Sequence, residues 1–180
     1  MKILSIITDG FEEVEFGGTI GILRRANLDV DVFALKGTTA TGRYGVTVSD
    51  LKDISELNIN NYDMLFICGG PEYILLEASD LFQDVLSHFY NNNKYIAAIC
   101  AGPTLLGHRG MLKNKHYTCF SSMNENFGGF YEDHYYVIDK KIITGKSAAA
   151  VIDFAFAIVE TIKSKEYANQ IRNSIYYFNK

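Results

Sequence analysis

Short apolar runs alternate along this chain with longer stretches in which apolar residues recur every three or four positions. Residues 2–8 (KILSIIT), 28–35 (LDVDVFAL), 62–70 (YDMLFICGG) and 94–100 (KYIAAIC) read as buried strands. Between and after them, Glu12 to Ala26, Ala78 to Tyr90, a segment starting near Pro103 and residues 148–164 read as helices, with a short last helix from Glu166. Residues 42–50 alternate like an exposed strand or hairpin arm, and residues 115–120 (KHYTCF) predict a fifth strand. Residues 135–139 and 141–145 predict a hairpin turning at Asp139 and Lys140. Nearly continuous apolar strands separated by helices mean a parallel sheet covered on both faces. No repeat or linker interrupts residues 1–180, which read as one doubly wound α/β domain.

Composition narrows the function classes. A formal charge of −4 over 180 residues gives no electrostatic reason to bind nucleic acid or an anionic membrane. No apolar stretch approaches the roughly 20 residues of a membrane span. The opening MKILSIITDG is too short, and too soon followed by acids, to be a signal peptide. Three cysteines, an odd number, do not make a disulfide framework, so a reducing cytoplasm is the expected compartment.

In open α/β sheets, sites form beyond the carboxyl ends of the strands. Three features fall at such ends here: DGFEEVE after the first strand, Gly69 and Gly70 after the third, and Cys100 after the fourth. Free cysteines usually serve as small buried hydrophobes, which is how Cys68 and Cys119 read. Cys100 differs because its strand stops there and a helix begins within two or three residues, with Pro103 suited to the first turn. Such an elbow sets the sulfur against the free N–H groups of a helix start, including that of Ala101. A helix N-terminus is worth about 0.3–1 kcal/mol to an anion, which lowers a thiol pKa by roughly one unit. Lowering it well below 7 takes further donors, such as backbone N–H groups of the Gly69-Gly70 turn or a protonated carboxylic acid. Glu12 and Glu13 read as first-turn acids complementing the helix, and Glu15 as the one pointing inward.

The segments AAICAGP, GGPE and DGFEEVEF…LRRA together resemble the ThiJ/PfpI superfamily, in its glyoxalase III-like and deglycase branch, from about Lys2 to Ala168. The resemblance implies a flavodoxin-like, class I glutamine amidotransferase-like three-layer sandwich with a mainly parallel sheet, a homodimer, and no cofactor. It implies that Cys100 is the reactive cysteine, that Glu15 shares a proton with it, and that the N–H of Gly70 faces the sulfur. It also implies that Arg24 or Arg25, and Arg43, stand near the pocket and the dimer seam. Solvated surface charge is the alternative for these arginines.

Two departures bear on activity. Relatives acting as intracellular proteases or amidases carry a histidine directly after the cysteine, where this chain has Ala101. Glyoxalase-like relatives often place a histidine on the strand after the nucleophile helix, where this chain has Phe120; His116 lies roughly 13 Å away along an extended strand. His88, His108 and His134 read as structural. Residues 145–151 (GKSAAAV) replace the family's Gly-Pro-Gly turn. The histidines and cysteines lack metal-ligand spacing. Neither Gly69-Gly70 nor Gly128-Gly129 is a phosphate loop, and acids occupy the loop that FMN would need. The resemblance thus implies a cysteine-dependent glyoxalase III-like or deglycase-like enzyme for small α-oxoaldehydes such as methylglyoxal, or their adducts. The alternative is a non-enzymatic cysteine-based redox sensor or chaperone. Both readings call for the same low-pKa thiol.

Overall fold

The structure, a computed structural model, describes residues 1–178. In chain order it contains β1 (Lys2–Ile7), α1 (Glu13–Arg25), β2 (Asp29–Ala34), β3 (Ala40–Thr41), β4 (Thr47–Val48), β5 (Lys52–Asp53) and β6 (Met64–Ile67). Then follow α2 (Tyr73–Glu77), α3 (Asp80–Asn91), β7 (Tyr95–Ile99), α4 (Gly102–His108), β8 (His116–Tyr117) and β9 (Phe130–Tyr131). The last elements are β10 (Tyr136–Asp139), β11 (Ile142–Gly145), α5 (Val151–Ile162) and α6 (Lys165–Ser174). Seven strands form the central sheet in the order β10-β11-β7-β6-β1-β2-β5. All its pairs are parallel except β10 with β11, the hairpin at one edge.

Strand side chains alternate between two dry faces, which is why the buried strands lack a polar stripe. Ile3 and Ile7 of β1, Met64 and Phe66 of β6, and Ala97 and Ile99 of β7 join α1, α5 and α6 in one core. Leu4 and Ile6, Leu65 and Ile67, and Ile96 and Ala98 join α3 and α4 in the other. The result is a three-layer α/β sandwich. From β1 the chain steps to β2 and β5 on one side, then returns to β6 and β7 on the other. That reversal puts the carboxyl ends of β1, β6 and β7 next to one another at a topological switch point, where a crevice opens.

Several expectations need correction. Residues 115–120 do not add a strand to the sheet: only His116 and Tyr117 are extended, pairing in parallel with Phe130 and Tyr131 in a separate ribbon. The chain leaves that ribbon because the N–H of Thr118 is taken by the Thr144 hydroxyl and that of Phe120 by the Cys100 carbonyl. The helix expected over Ala78 to Tyr90 is α3, capped by the Ser79 hydroxyl accepting from the N–H of Phe82 at 3.2 Å, and the short α2 before it is unexpected. Of the two readings of residues 42–50 the hairpin arm is the one found, as the second arm of the small β3–β4 hairpin, and β5 is an edge strand too short for the pattern to register. The long helix begins at Val151, after a 3-10 turn at Ala148–Ala150.

Candidate active site

β7 ends at Ile99, and Cys100 follows in the left-handed backbone region, with φ 61°. A non-glycine residue there costs on the order of 1 kcal/mol or more and persists only where the surroundings over-determine it. Two backbone bonds do so. The Cys100 N–H donates to the Gly145 carbonyl at 2.9 Å, and its carbonyl accepts from the Phe120 N–H at 3.0 Å. The kink turns the thiol out of the sheet toward the start of α4, where the Ala101 N–H faces it.

Glu15 arrives from the opposite side of the crevice. Its helix begins because Glu12 acts as N-cap, its carboxylate accepting from the Glu15 N–H at 2.7 Å. That places Glu15 in the first turn facing inward, 1% exposed. Burial pushes its carboxyl up to about 7, the donors at Cys100, Gly69 and Ala148 pulling the other way and the Glu12 charge adding to the rise. None of these groups meets its buried Oε2 in full hydrogen-bond geometry. The Cys100 thiol is also pushed up, by burial and by the Glu15 charge, against the Ala101 N–H. The low thiol pKa expected from the elbow alone is therefore not what these surroundings produce. A helix as short as α4, seven residues or about two turns, is too weak to offset an acid at contact. Two acids this close do not both ionise, so the pair gives up its first proton near pH 7, from Glu15, and holds the second well above that.

The Gly69-Gly70 turn fits between them. A Cβ on Gly69 would sit 2.6 Å from the Cys100 Cβ and collide with Glu15 Oε2. The Gly69 carbonyl accepts the Glu12 N–H at 2.9 Å while its N–H faces the Glu15 carboxyl. Gly70 has φ 99°, and a Cβ there would lie 2.6 Å from the Glu12 nitrogen. The N–H expected on the sulfur is that of Gly70; the backbone donors that face the pair are instead Ala101 at the thiol and Gly69 at the Glu15 carboxyl, and Gly70 lines the cleft beside them.

These groups floor a cleft of about 560 Å³. Gly70, Ala101, Arg43 and Phe120 all line it. Arg43 sits in the β3–β4 turn, held by its own N–H on the Phe11 carbonyl and by the Glu13 carboxylate, which accepts from the N–H of Tyr44 at 2.6 Å. It lines the cleft of its own chain. Arg24 and Arg25 do not reach it: ten residues of helix separate Arg25 from Glu15, roughly 15 Å. Arg24 instead donates to the Val30 carbonyl at 3.2 Å, and Arg25 is exposed.

Among the described residues no histidine lines the cleft. His108 lies between Glu77 and Glu125, and His116 and His134 face Glu132. Among the described residues no group of three or more acids, cysteines or histidines is arranged to hold a metal. Cys68 and Cys119 are fully buried. Glu72, quoted in GGPE but given no role, is fully buried too: its Oε2 accepts the Thr8 N–H at 2.8 Å, and burial holds its carboxyl well above the usual range. It ties the loop after β1 to the Gly69-Gly70 turn. An acid next to a Gly-Gly-Pro turn was its only signal in the sequence.

An elbow cysteine, a buried acid from the first helix and a Gly-Gly turn at one switch point define the class. A model of the DJ-1/PfpI family matches residues 1–161, and the chain belongs to that family. It is 33% identical over 168 residues to the Caenorhabditis elegans glutathione-independent glyoxalase DJR-1.2, spanning 89% of this chain and 87% of that one. It is 32% identical over 150 residues to Bacillus subtilis YraA, whose name assigns it provisionally to the cysteine proteases, spanning 81% and 89%. The Schizosaccharomyces pombe DJ-1, also named a glutathione-independent glyoxalase, is 28% identical over 188 residues, spanning 97% and 98%. A solved structure of S. pombe DJ-1 superposes with a TM-score of 0.88 at 26% identity, covering 97% of this chain and 98% of that one.

Proposed function

We propose that the protein is a cofactor-independent glyoxalase III-like enzyme that converts α-oxoaldehydes to α-hydroxy acids. The observation that carries this reading is the Cys100–Glu15 pair, a thiol set against a buried carboxyl at the floor of a cleft. The glyoxalase names of two relatives support it. The reactive form holds the proton on Glu15 and the charge on sulfur. The thiolate adds to the aldehyde carbon while Glu15 donates its proton to the aldehyde oxygen, giving a hemithioacetal. Glu15, now a carboxylate, removes the proton from that carbon to form an enediolate whose charge lies on the former ketone oxygen. It returns the proton to the former ketone carbon as the first hydroxyl's proton passes to the second oxygen. The aldehyde carbon is thereby oxidised to a thioester and the ketone carbon reduced to an alcohol, with no outside oxidant. Water then cleaves the thioester, releasing lactate from methylglyoxal and restoring the pair. The Ala101 N–H faces the sulfur throughout.

Proteolysis is less well supported, because Ala101 follows the cysteine and no histidine among the described residues lines the cleft. Peroxide sensing by the same thiol draws on the same thiolate, and the glyoxalase names of two relatives favour the enzyme over it. A homodimer through α1 belongs to the same reading: Val14 stands exposed there, and the Cα atoms of Gly17 and Gly21 face open space. A reducing, cytoplasmic setting is consistent with three free cysteines. The test is lactate formation from methylglyoxal by the purified protein and by its Cys100→Ser and Glu15→Gln forms. Turnover by wild type alone supports the mechanism, and wild-type inactivity sinks it.

A further inference from the structure

The cleft is larger than the simplest substrate needs. Methylglyoxal, at the ~30 Å³ each heavy atom takes in liquid water, fills at most roughly 150 Å³. The cleft holds about 560 Å³, within the range that receives ligands several times that size.

Its walls say what kind of ligand. Ile74, on α2, is 57% exposed; Phe120, after β8, is 44%; and Tyr44, in the β3–β4 turn, is 71%. Single exposed apolar side chains are ordinary, but these three come from separate segments and line one concavity. Met123 and Tyr73 extend the same surface. The charged groups among the lining balance: Glu12 faces Arg43 in sign, and Arg43 has no carboxylate within 4 Å among the described residues. Beyond the reacting pair, nothing in that balance selects a strongly charged substrate. Phe120 has a second effect: where a histidine would offer a polar contact beside the nucleophile, it offers only a ring.

We infer that the substrate is an α-oxoaldehyde carrying a bulky apolar substituent, branched alkyl or aryl, on its ketone carbon. The inference rests on the glyoxalase reading above and adds the substituent to it. The aldehyde carbon meets Cys100, and the substituent lies along Ile74 and Phe120. The reaction balances as before: one water is consumed, the aldehyde carbon is oxidised, the ketone carbon is reduced, and an α-hydroxy acid with the same substituent leaves.

The experiment compares initial rates on methylglyoxal and on 4-methyl-2-oxopentanal, whose isobutyl group replaces the methyl. With the added carbons about half buried in an open cleft, the larger aldehyde is expected to show kcat/KM roughly tenfold higher. Ile74→Ser and Phe120→Ser keep every backbone bond of the site and should lower kcat/KM for the larger aldehyde more than for methylglyoxal, collapsing the ratio toward one. Independently of turnover, acetophenone at millimolar concentration should slow alkylation of Cys100 several-fold, and acetone at the same concentration should not. Turnover of methylglyoxal with a ratio at or below one in wild type overturns the inference and leaves the glyoxalase reading standing. A tenfold ratio that neither serine variant lowers also overturns it, because the preference would then belong to the aldehyde and not to these walls. Turnover of neither aldehyde overturns both.

Discussion

Replacing Glu15 by Gln isolates the energetic consequence of burying that carboxyl. In the folded chain its pKa stands at about 7 instead of 4.5, with burial the leading cause. A group that holds its proton more tightly folded than unfolded contributes stability that is complete below the unfolded value. That contribution is lost as pH rises through the folded value. For Glu15 the window therefore runs from 4.5 to about 7. A rise of roughly 2.5 pH units at about 1.4 kcal/mol each amounts to ~3 kcal/mol. Gln has nearly the same shape and cannot ionise, so the variant escapes this loss. The assay is urea unfolding of both proteins, followed by far-UV circular dichroism at a series of pH values from about 4.5 to 8. Every other titrating group is common to the two proteins and drops out of the difference, apart from the Cys100 thiol that Glu15 faces. Subtracting wild type from variant should give a stability difference that climbs with pH by on the order of 3 kcal/mol, in favour of Gln. A difference that stays flat across the window refutes the assignment of a buried, neutral-range proton to Glu15.

Timed alkylation followed by mass spectrometry should label Cys100 before Cys68 and Cys119, both fully buried; equal rates at all three would remove the elbow from the mechanism. Gly69→Ala drives a methyl group to 2.6 Å from the Cys100 Cβ, so it should lower stability by about 1–3 kcal/mol and alter the alkylation rate of Cys100. Melting and alkylation unchanged from wild type would show that the turn has room to spare. Gly21→Lys places a charged chain on the open face of α1 and should convert a dimer to a monomer in light scattering. Wild type already monomeric at micromolar concentration would remove α1 as a dimer interface.

The strands that carry the site were legible because parallel strands buried on both faces are nearly continuous apolar runs. Once β1, β6 and β7 were recognised, the switch-point rule alone brought Glu15, the Gly-Gly turn and Cys100 toward one another. What the pattern missed depends on crossings between distant segments. Residues 115–120 have strand-like alternation, and Tyr117 and Cys119 are indeed buried, yet Thr144 and Cys100 take the N–H groups that a ladder would use. Glu72 has no role in the sequence pattern, because what buries it is Thr8 and Gly10 of a distant loop. Arg25 belongs to a motif with the right spelling, but helix geometry carries it a full domain radius from the cleft. The thiol's electrostatics were misjudged for a related reason: the helix start can be read locally, whereas the acid that opposes it sits 85 residues earlier, on the far wall.

The bond from the Phe120 N–H to the Cys100 carbonyl separates two properties of one position. The tether uses the backbone, so every residue except proline supplies it. The side chain at 120 is free to be an imidazole, a phenyl ring or a hydroxyl without loosening the elbow that holds the sulfur. Mechanically the position is fixed; chemically it is open. A cleft built this way can change the company its nucleophile keeps by single substitutions, each leaving the reacting geometry intact. Phe120 is then one setting of a dial, turned while the machinery beneath stays still.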